Sequence, residues 1–307
     1  MNRRCSIAVA ITLGIGAAPA PALAQRDFSK VEIETQQVAE GIYMLQGSGG
    51  NIGVCIGEDG VLLVDDQFAP LTDKILAAIA KITDQPVRFV LNTHYHPDHV
   101  GGNENFGKAG ALLVAHDAVR ARLLAQRRTA ADAPPPTAGT LPLITFDDSL
   151  TFHVNGTDIA AFHVAPAHTD GDAIVVIRTG NVVHMGDCFF NGLYPYIDVA
   201  AGGGIEGMIA AIDRVLPSIG PDTKIIPGHG PLSDRAGLVA FRDMLAAVRD
   251  RMKPLVATGK SLEEVKAAKP TADFDAVWGN GFLKPDRWVE MVYEGLKQRG
   301  TEGAAGR

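Results

Sequence analysis

The stretch from Leu91 to Gly107, LNTHYHPDHVGGNENFG, gathers His94, His96, Asp98 and His99 around Pro97. It follows VRFVLN (Val87 to Asn92), an apolar run with the composition of a strand, so the potential ligands begin where a strand ends. Pro97 holds its predecessor His96 in extended backbone. Residues two apart in an extended segment point the same way, so His94 and His96 can grip one metal ion together. Asp98 and His99 lie past the turn and face a second position nearby. Each position still lacks a ligand, and the rest of the chain has to supply it.

Three further candidates stand downstream: His168 in APAHTDGD, Asp187 in HMGDCFF and His229 in IPGHGP. Each follows an apolar strand-like run and sits beside Gly, Pro or Thr, which places it on a loop at the same sheet edge as the first cluster. Around them the chain alternates. GIYMLQG, IGVCIGE and GVLLVDD read as a strand meander, LTDKILAAIAKI as a helix, and ALLVA with HDAVRARLLAQRR as a strand followed by a helix. The second half repeats the order with strands LITF, LTFHV, DIAAFHV, AIVVIRT and NVVHMGD, a helix from about Gly204 to Leu216, and strand KIIPG. Two such halves face to face make an α/β fold, a four-layer αβ/βα sandwich. The proline-rich connection Thr129 to Pro142 reads as a surface crossing within one domain, because neither side of it holds the whole ligand set. The tail from Ser233 to Gly300 reads as helices interrupted near Pro270 and Pro285.

The N-terminus, MNRRCSIAVAITLGIGAAPAPALAQ, has Arg3 and Arg4, a short apolar run and Ala22-Leu23-Ala24 before Gln25. That is the layout of a secretory signal, and the apolar run is short of the roughly 20 residues needed to span a bilayer. The division is therefore residues 1–24 as a signal peptide and 25–307 as one domain with C-terminal helices. The expected location is periplasmic or secreted, with no membrane attachment after cleavage. Loss of Arg3 and Arg4 takes the formal charge from −7 to −9, and an acidic chain without a basic run is a poor nucleic-acid binder. Cys5 leaves with the signal, and Cys55 and Cys188 alone do not make a disulfide framework.

The His-x-His-x-Asp-His segment followed by His, Asp and His resembles the metallo-β-lactamase superfamily, over nearly the whole mature chain and including Asp65, Gly101 and Gly102. The resemblance implies the αβ/βα sandwich. It also implies that His94, His96 and His168 hold a first zinc, that Asp98, His99 and His229 hold a second, and that Asp187 bridges the two. Two Zn2+ ions suit this mixture of imidazole and carboxylate. A hydroxide between them would attack a polarised carbonyl, with Asp98 orienting it and passing on its proton, while Asp65 holds a ligand by hydrogen bond.

The expected function is that of an exported zinc-dependent hydrolase, opening a cyclic amide or ester of a small molecule: a β-lactam or a related lactone. Two alternatives stand beside it, a glyoxalase-type thioesterase and a non-hydrolytic metal-binding or redox-linked protein. Cys188, next to Asp187, reads as a small buried residue beside the site rather than a ligand. Where one class of β-lactamases carries a basic residue three positions after its cysteine, this chain has Asn191. His116, His153, His163 and His184 read as capping or packing residues. Phe68, Phe190, Tyr194 and Tyr196 read equally as walls of the site or as core, and QGSGGNIG (Gln46 to Gly53) as a mobile lip or a hairpin turn. Oligomeric state has no signature in the sequence.

Overall fold

The computed structural model describes residues 27–129 and 139–305, with side chains through residue 300. The expected signal peptide and most of the proline-rich connection lie outside the described residues.

Seven strands form the first sheet in sequential order: β1 (Glu34–Ala39), β2 (Ile42–Gln46), β3 (Ile52–Gly57), β4 (Gly60–Val64), β5 (Val87–Asn92), β6 (Leu112–His116) and β7 (Ile144–Phe146). Pairing is antiparallel from β1 to β4 and parallel from β4 to β7. Parallel strands need crossovers and covered faces. Helix α1 (Thr72–Ile79) links β4 to β5, and α2 (Pro97–Val100) and α3 (Asn103–Lys108) link β5 to β6. All five residues of β4, GVLLV, are accordingly buried.

The second sheet runs β13-β12-β11-β10-β9-β8, built from β8 (Ser149–Val154), β9 (Thr157–His163), β10 (Ala173–Ile177), β11 (Val182–His184), β12 (Lys224–Ile226) and β13 (Ser233–Asp234). Only β11 and β12 pair in parallel, joined through α5 (Ile205–Val215). The chain also carries α4 (Asp117–Thr129) after β6, then α6 (Arg235–Ala257), α7 (Leu262–Ala267), α8 (Asp275–Trp278) and α9 (Pro285–Ala305) towards its end.

Three apolar layers follow from period-two alternation in strands and 3.6-residue spacing in helices. Met44, Leu62, Leu91 and Val114 of the first sheet meet Ile159, Val175, Val182 and Ile226 of the second between the sheets. The outer face of the first sheet packs Leu63, Val90 and Leu113 against Leu71, Ile75 and Phe106. The outer face of the second packs Ile174 and Val183 beneath Met208 and Ile212 of α5, Phe241 and Leu245 of α6, and Trp288 and Val292 of α9. The result is the four-layer sandwich expected from the sequence.

The differences are local. Strand β1, ETQQVA, is an exposed edge strand with no apolar alternation to reveal it. The tail opens with the short strand β13 before its helices. Pro285 starts α9, where its missing N–H costs nothing, while Pro254 lies inside α6. Among the described residues no helix is long and apolar enough to cross a membrane.

Helix α9 is fastened by fully buried Trp288, whose indole stacks on Tyr194 with centroids 4.3 Å apart and planes at 10°. Trp288→Ala should lower the unfolding free energy by about 3–5 kcal/mol. Urea denaturation followed by circular dichroism checks this; a loss below about 1 kcal/mol would mean that α9 is not held through this ring.

Candidate metal centre

The parallel strands deliver their carboxyl ends to one edge of the sandwich, and the loops leaving that edge carry the polar cluster. His94 and His96 follow β5; Asp98 and His99 lie on α2; His168 lies between β9 and β10; Asp187 sits in a single 3-10 turn, Gly186–Cys188, after β11; and His229 follows β12. His96 has φ −67° and ψ 146°, the extended backbone expected before Pro97. Two backbone contacts join the sheets here, from Ala173 N to Thr93 O at 2.8 Å and from Asn51 N to Gly228 O at 2.7 Å.

The seven residues singled out in the sequence come together in two groups. Ligand atoms of His94, His96, His168 and Asp187 all lie within 4.8 Å of one another, and so do those of Asp98, His99 and His229. The Asp187 carboxylate lies between the groups. Its Oδ2 is 3.3 Å from His168 Nε2 and 3.5 Å from His229 Nε2, and its Oδ1 is 3.2 Å from His99 Nε2. Across the second group, Asp98 Oδ2 is 3.4 Å from His229 Nε2.

The outward ring nitrogens of His94, His96, His99 and His168 each have a partner, which turns the other nitrogen inward. His94 Nδ1 lies 3.1 Å from Thr93 Oγ1, His99 Nδ1 is 2.7 Å from Asp65 Oδ2, and His168 Nδ1 donates to the Tyr196 carbonyl at 2.8 Å. His96 presents Nδ1 to the cluster, 2.8 Å from His168 Nε2, and gives Nε2 to Asp198 Oδ2 at 3.0 Å. Asp65 also accepts from Thr93 N and Thr93 Oγ1, both at 2.7 Å, so one carboxylate orients His99 directly and His94 through Thr93. To do so Asp65 adopts φ 67° and Gln67 φ 56°, left-handed conformations that cost non-glycine residues of order 1–3 kcal/mol each.

Electrostatics follow the same division. Burial pushes His94 well below the ordinary histidine range and His168 down to about 4, so both rings are neutral at pH 7. Burial also opposes charge on His99 and Asp187. The carboxylates of Asp187, Asp65 and Asp98 outweigh it and raise His99 well above its ordinary value, and the surrounding imidazoles outweigh it and hold Asp187 well below the carboxylate range.

His94 Nε2 and Asp187 Oδ1 are buried without a hydrogen-bond partner, which is costly unless another ligand-hungry group engages them. Converging imidazole nitrogens, an ionised carboxylate and these two atoms fit metal ions of the zinc type.

A sequence profile described as the metallo-beta-lactamase superfamily matches residues 45–232, which include all seven of these residues. The chain belongs to that superfamily. A relative named metallo-beta-lactamase type 2, from Bacillus cereus, is 22% identical over 187 residues, covering 61% of this chain and 69% of the relative. A linear primary-alkylsulfatase from Pseudomonas sp. (strain ATCC 19151) is 37% identical over only 49 residues, 16% of this chain and 9% of that enzyme. The fold is also that of a solved metallo-beta-lactamase from Pontibacter korlensis, with a TM-score of 0.59 and 19% identity over 70% of this chain and 99% of that one. The DIM-1 metallo-beta-lactamase gives 0.58 and 19% over 71% and 99%.

Within this superfamily scaffold the neighbouring residues sort themselves. Cys188 is buried and belongs to neither group; its Sγ lies 3.9 Å from Asp172 Oδ2. Burial, then the carboxylates of Asp172 and Asp187, push its thiol well above the ordinary cysteine range. Phe190 stacks on His229 with centroids 4.9 Å apart, and Tyr196 lies 5.7 Å from the His96 ring. Tyr194 instead lies in the core on Trp288, and Phe68 packs on Phe28. His116 stacks on His163, away from both groups. The Gln46–Gly53 stretch is a pinned hairpin turn: Asn51 Nδ2 donates to the carbonyls of Pro227 and Gly230, and a Cβ on Gly50 would fall 2.1 Å from His99 Cε1.

Sequence reading missed Asp198 and Asn51, which stand outside any motif. Asp198 also accepts from the Tyr95 hydroxyl at 2.5 Å. Burial alone would raise its carboxyl, but the bonds from His96, Tyr95 and Ala201 N hold it well below the carboxylate range. Arg122 lies over the Tyr95 ring at 5.2 Å and pairs with Asp170.

Asp187→Ala should remove metal retention by both groups, whereas Cys188→Ser should leave it unchanged. Elemental analysis after dialysis reads both, and loss of metal from Cys188→Ser would contradict the assignment.

Proposed function

We propose that the chain is an exported zinc-dependent hydrolase that opens a cyclic amide or ester of a small molecule, a β-lactam or a related lactone, in the periplasm or outside the cell. The observation that carries this reading is the one-sided exposure of the cluster. Asp98, His229 and His96 reach solvent at 25%, 18% and 15%, while His94 is at 1% and His99 and His168 at 0%. A substrate can therefore approach the Asp98–His229–His96 side alone.

His94, His96 and His168 would hold one zinc ion and Asp98, His99 and His229 another, with Asp187 facing both groups, and the ions would supply Lewis acidity to the site. Asp98 is the acidic group on the open side, where its carboxylate accepts the proton of the attacking water and returns it to the departing nitrogen or oxygen. Asp187 is buried, and the surrounding imidazoles hold its carboxyl well below the carboxylate range. Asp65, Thr93 and Asp198 keep the rings from turning, so the geometry is set before substrate arrives.

The lactam option draws on the name of the Bacillus cereus relative, and Asn191 is the reason to keep lactones beside it. Asn191 Nδ2 donates to the Pro231 carbonyl at 3.0 Å, so this position braces a loop and offers no cation to a substrate carboxylate. Export rests on the Arg3-Arg4, apolar run and Ala22-Leu23-Ala24 succession, with Gln25 as the first mature residue.

Turnover of a lactam, a lactone, an aryl ester and a thioester by the zinc-loaded mature protein tests the reading. Preferential opening of the lactam or lactone is expected, with kcat lowered about 10²–10⁴-fold by Asp98→Asn. Preference for the thioester, or undiminished turnover by Asp98→Asn, would contradict it.

A further inference from the structure

The loop between α8 and α9 reaches the open side of the cluster. It is fixed at both ends: the Trp278 carbonyl accepts from Tyr194 N at 2.9 Å, and Leu283 is buried in the outer core. Between these anchors Gly281 sits against Leu193, where a Cβ would fall 2.7 Å from Leu193 Cδ2. The next residue, Phe282, is turned outward and is 62% exposed. Its ring lies 6.4 Å from both Phe190 and His229, whose own rings are stacked.

A single exposed aromatic is ordinary on a protein surface. Phe282 differs in its surroundings, because a loop anchored on either side holds it beside one particular ring of the cluster. That ring, His229, pairs with Asp98 at 3.4 Å. The other exposed aromatic of the cleft, Tyr196, stands at the opposite side, 5.7 Å from His96 and 5.9 Å from His168.

We propose that Phe282 is a specificity-determining residue that forms the leaving-group wall of the site and selects substrates bearing an apolar substituent next to the departing heteroatom. This rests on the hydrolase reading above. Hydrolysis breaks the acyl C–O or C–N bond, places the oxygen of water on the acyl carbon and leaves a proton on the departing heteroatom. Asp98 is the group that delivers that proton, so the departing atom lies on the Asp98–His229 side, within reach of Phe282. An alkyl group there covers the exposed ring and removes apolar surface from water, whereas a substituent on the acyl side faces Tyr196.

The test uses the zinc-loaded protein with three lactones: γ-butyrolactone, its γ-pentyl derivative and its α-pentyl isomer. The wild type should favour the γ-pentyl lactone over the unsubstituted one by about tenfold in kcat/KM, carried by KM. Phe282→Ala should abolish that preference without changing kcat, metal content or the KM for the α-pentyl isomer, and Phe282→Leu should restore most of it. An unchanged preference in Phe282→Ala, or none in the wild type, overturns the proposal while the hydrolase reading stands. If no lactone is turned over, titration calorimetry with the γ-hydroxy acids decides separately. Tighter binding of γ-hydroxynonanoate than of γ-hydroxybutyrate, lost in Phe282→Ala, supports the wall, and equal binding overturns it.

Discussion

A buried carboxylate among imidazoles is the constraint on which the rest of this structure depends. Asp187 is nearly withdrawn from water, and an ionised group in that position is tolerated only when opposite charge and hydrogen-bond donors, or a cation, surround it. The chain meets the requirement by bringing five histidines from three separate loops to one carboxylate. His229 reaches it because β11 and β12 run parallel and end together, and Gly228 lets the second loop pass close by: a Cβ there would fall 2.0 Å from Asp187 Oδ1.

The two sheets are then the means of holding that arrangement still. Their shared core fixes the distance between the loop after β5 and the loops after β11 and β12, and the Thr93–Ala173 and Asn51–Gly228 backbone bonds close the seam above it. Left-handed backbone at Asp65 and Gln67 is the local cost, and it aims Asp65 at His99 and Thr93. On the proposed reading, metal retention, ring orientation and substrate contact would fall to different residues: Asp187 between the groups, Asp65 and Asp198 behind the rings, and Asp98 with Phe282 at the open edge.

Much of this was legible in the sequence because it is written in short-range spacing. The short spacing before Pro97 put His94 and His96 in one group, although Thr93 and His94 form a bend beyond the end of β5, and apolar runs ending in Gly or Pro placed His168, Asp187 and His229 at the same edge. What spacing does not encode is which way a loop residue faces. Tyr194 and Tyr196 are two residues apart in one irregular segment, yet Tyr194 lies buried on Trp288 while Tyr196 faces the cluster. Asp198 and Asn51 act through partners 102 and 176 residues away, and Phe282 lies beside His229 across about 53 residues of sequence. Strand β1 escaped notice for another reason: an exposed edge strand has no buried face to impose alternation.

Anomalous X-ray diffraction from crystals of the zinc-loaded protein, recorded on both sides of the zinc absorption edge, is the most direct measurement of the central claim. Two peaks about 3.5–4 Å apart are expected. One should lie among His94, His96 and His168, the other among Asp98, His99 and His229, with the Asp187 carboxylate between them. A single peak at full zinc occupancy, or a peak bound by Cys188 with Asp187 turned away, would contradict it.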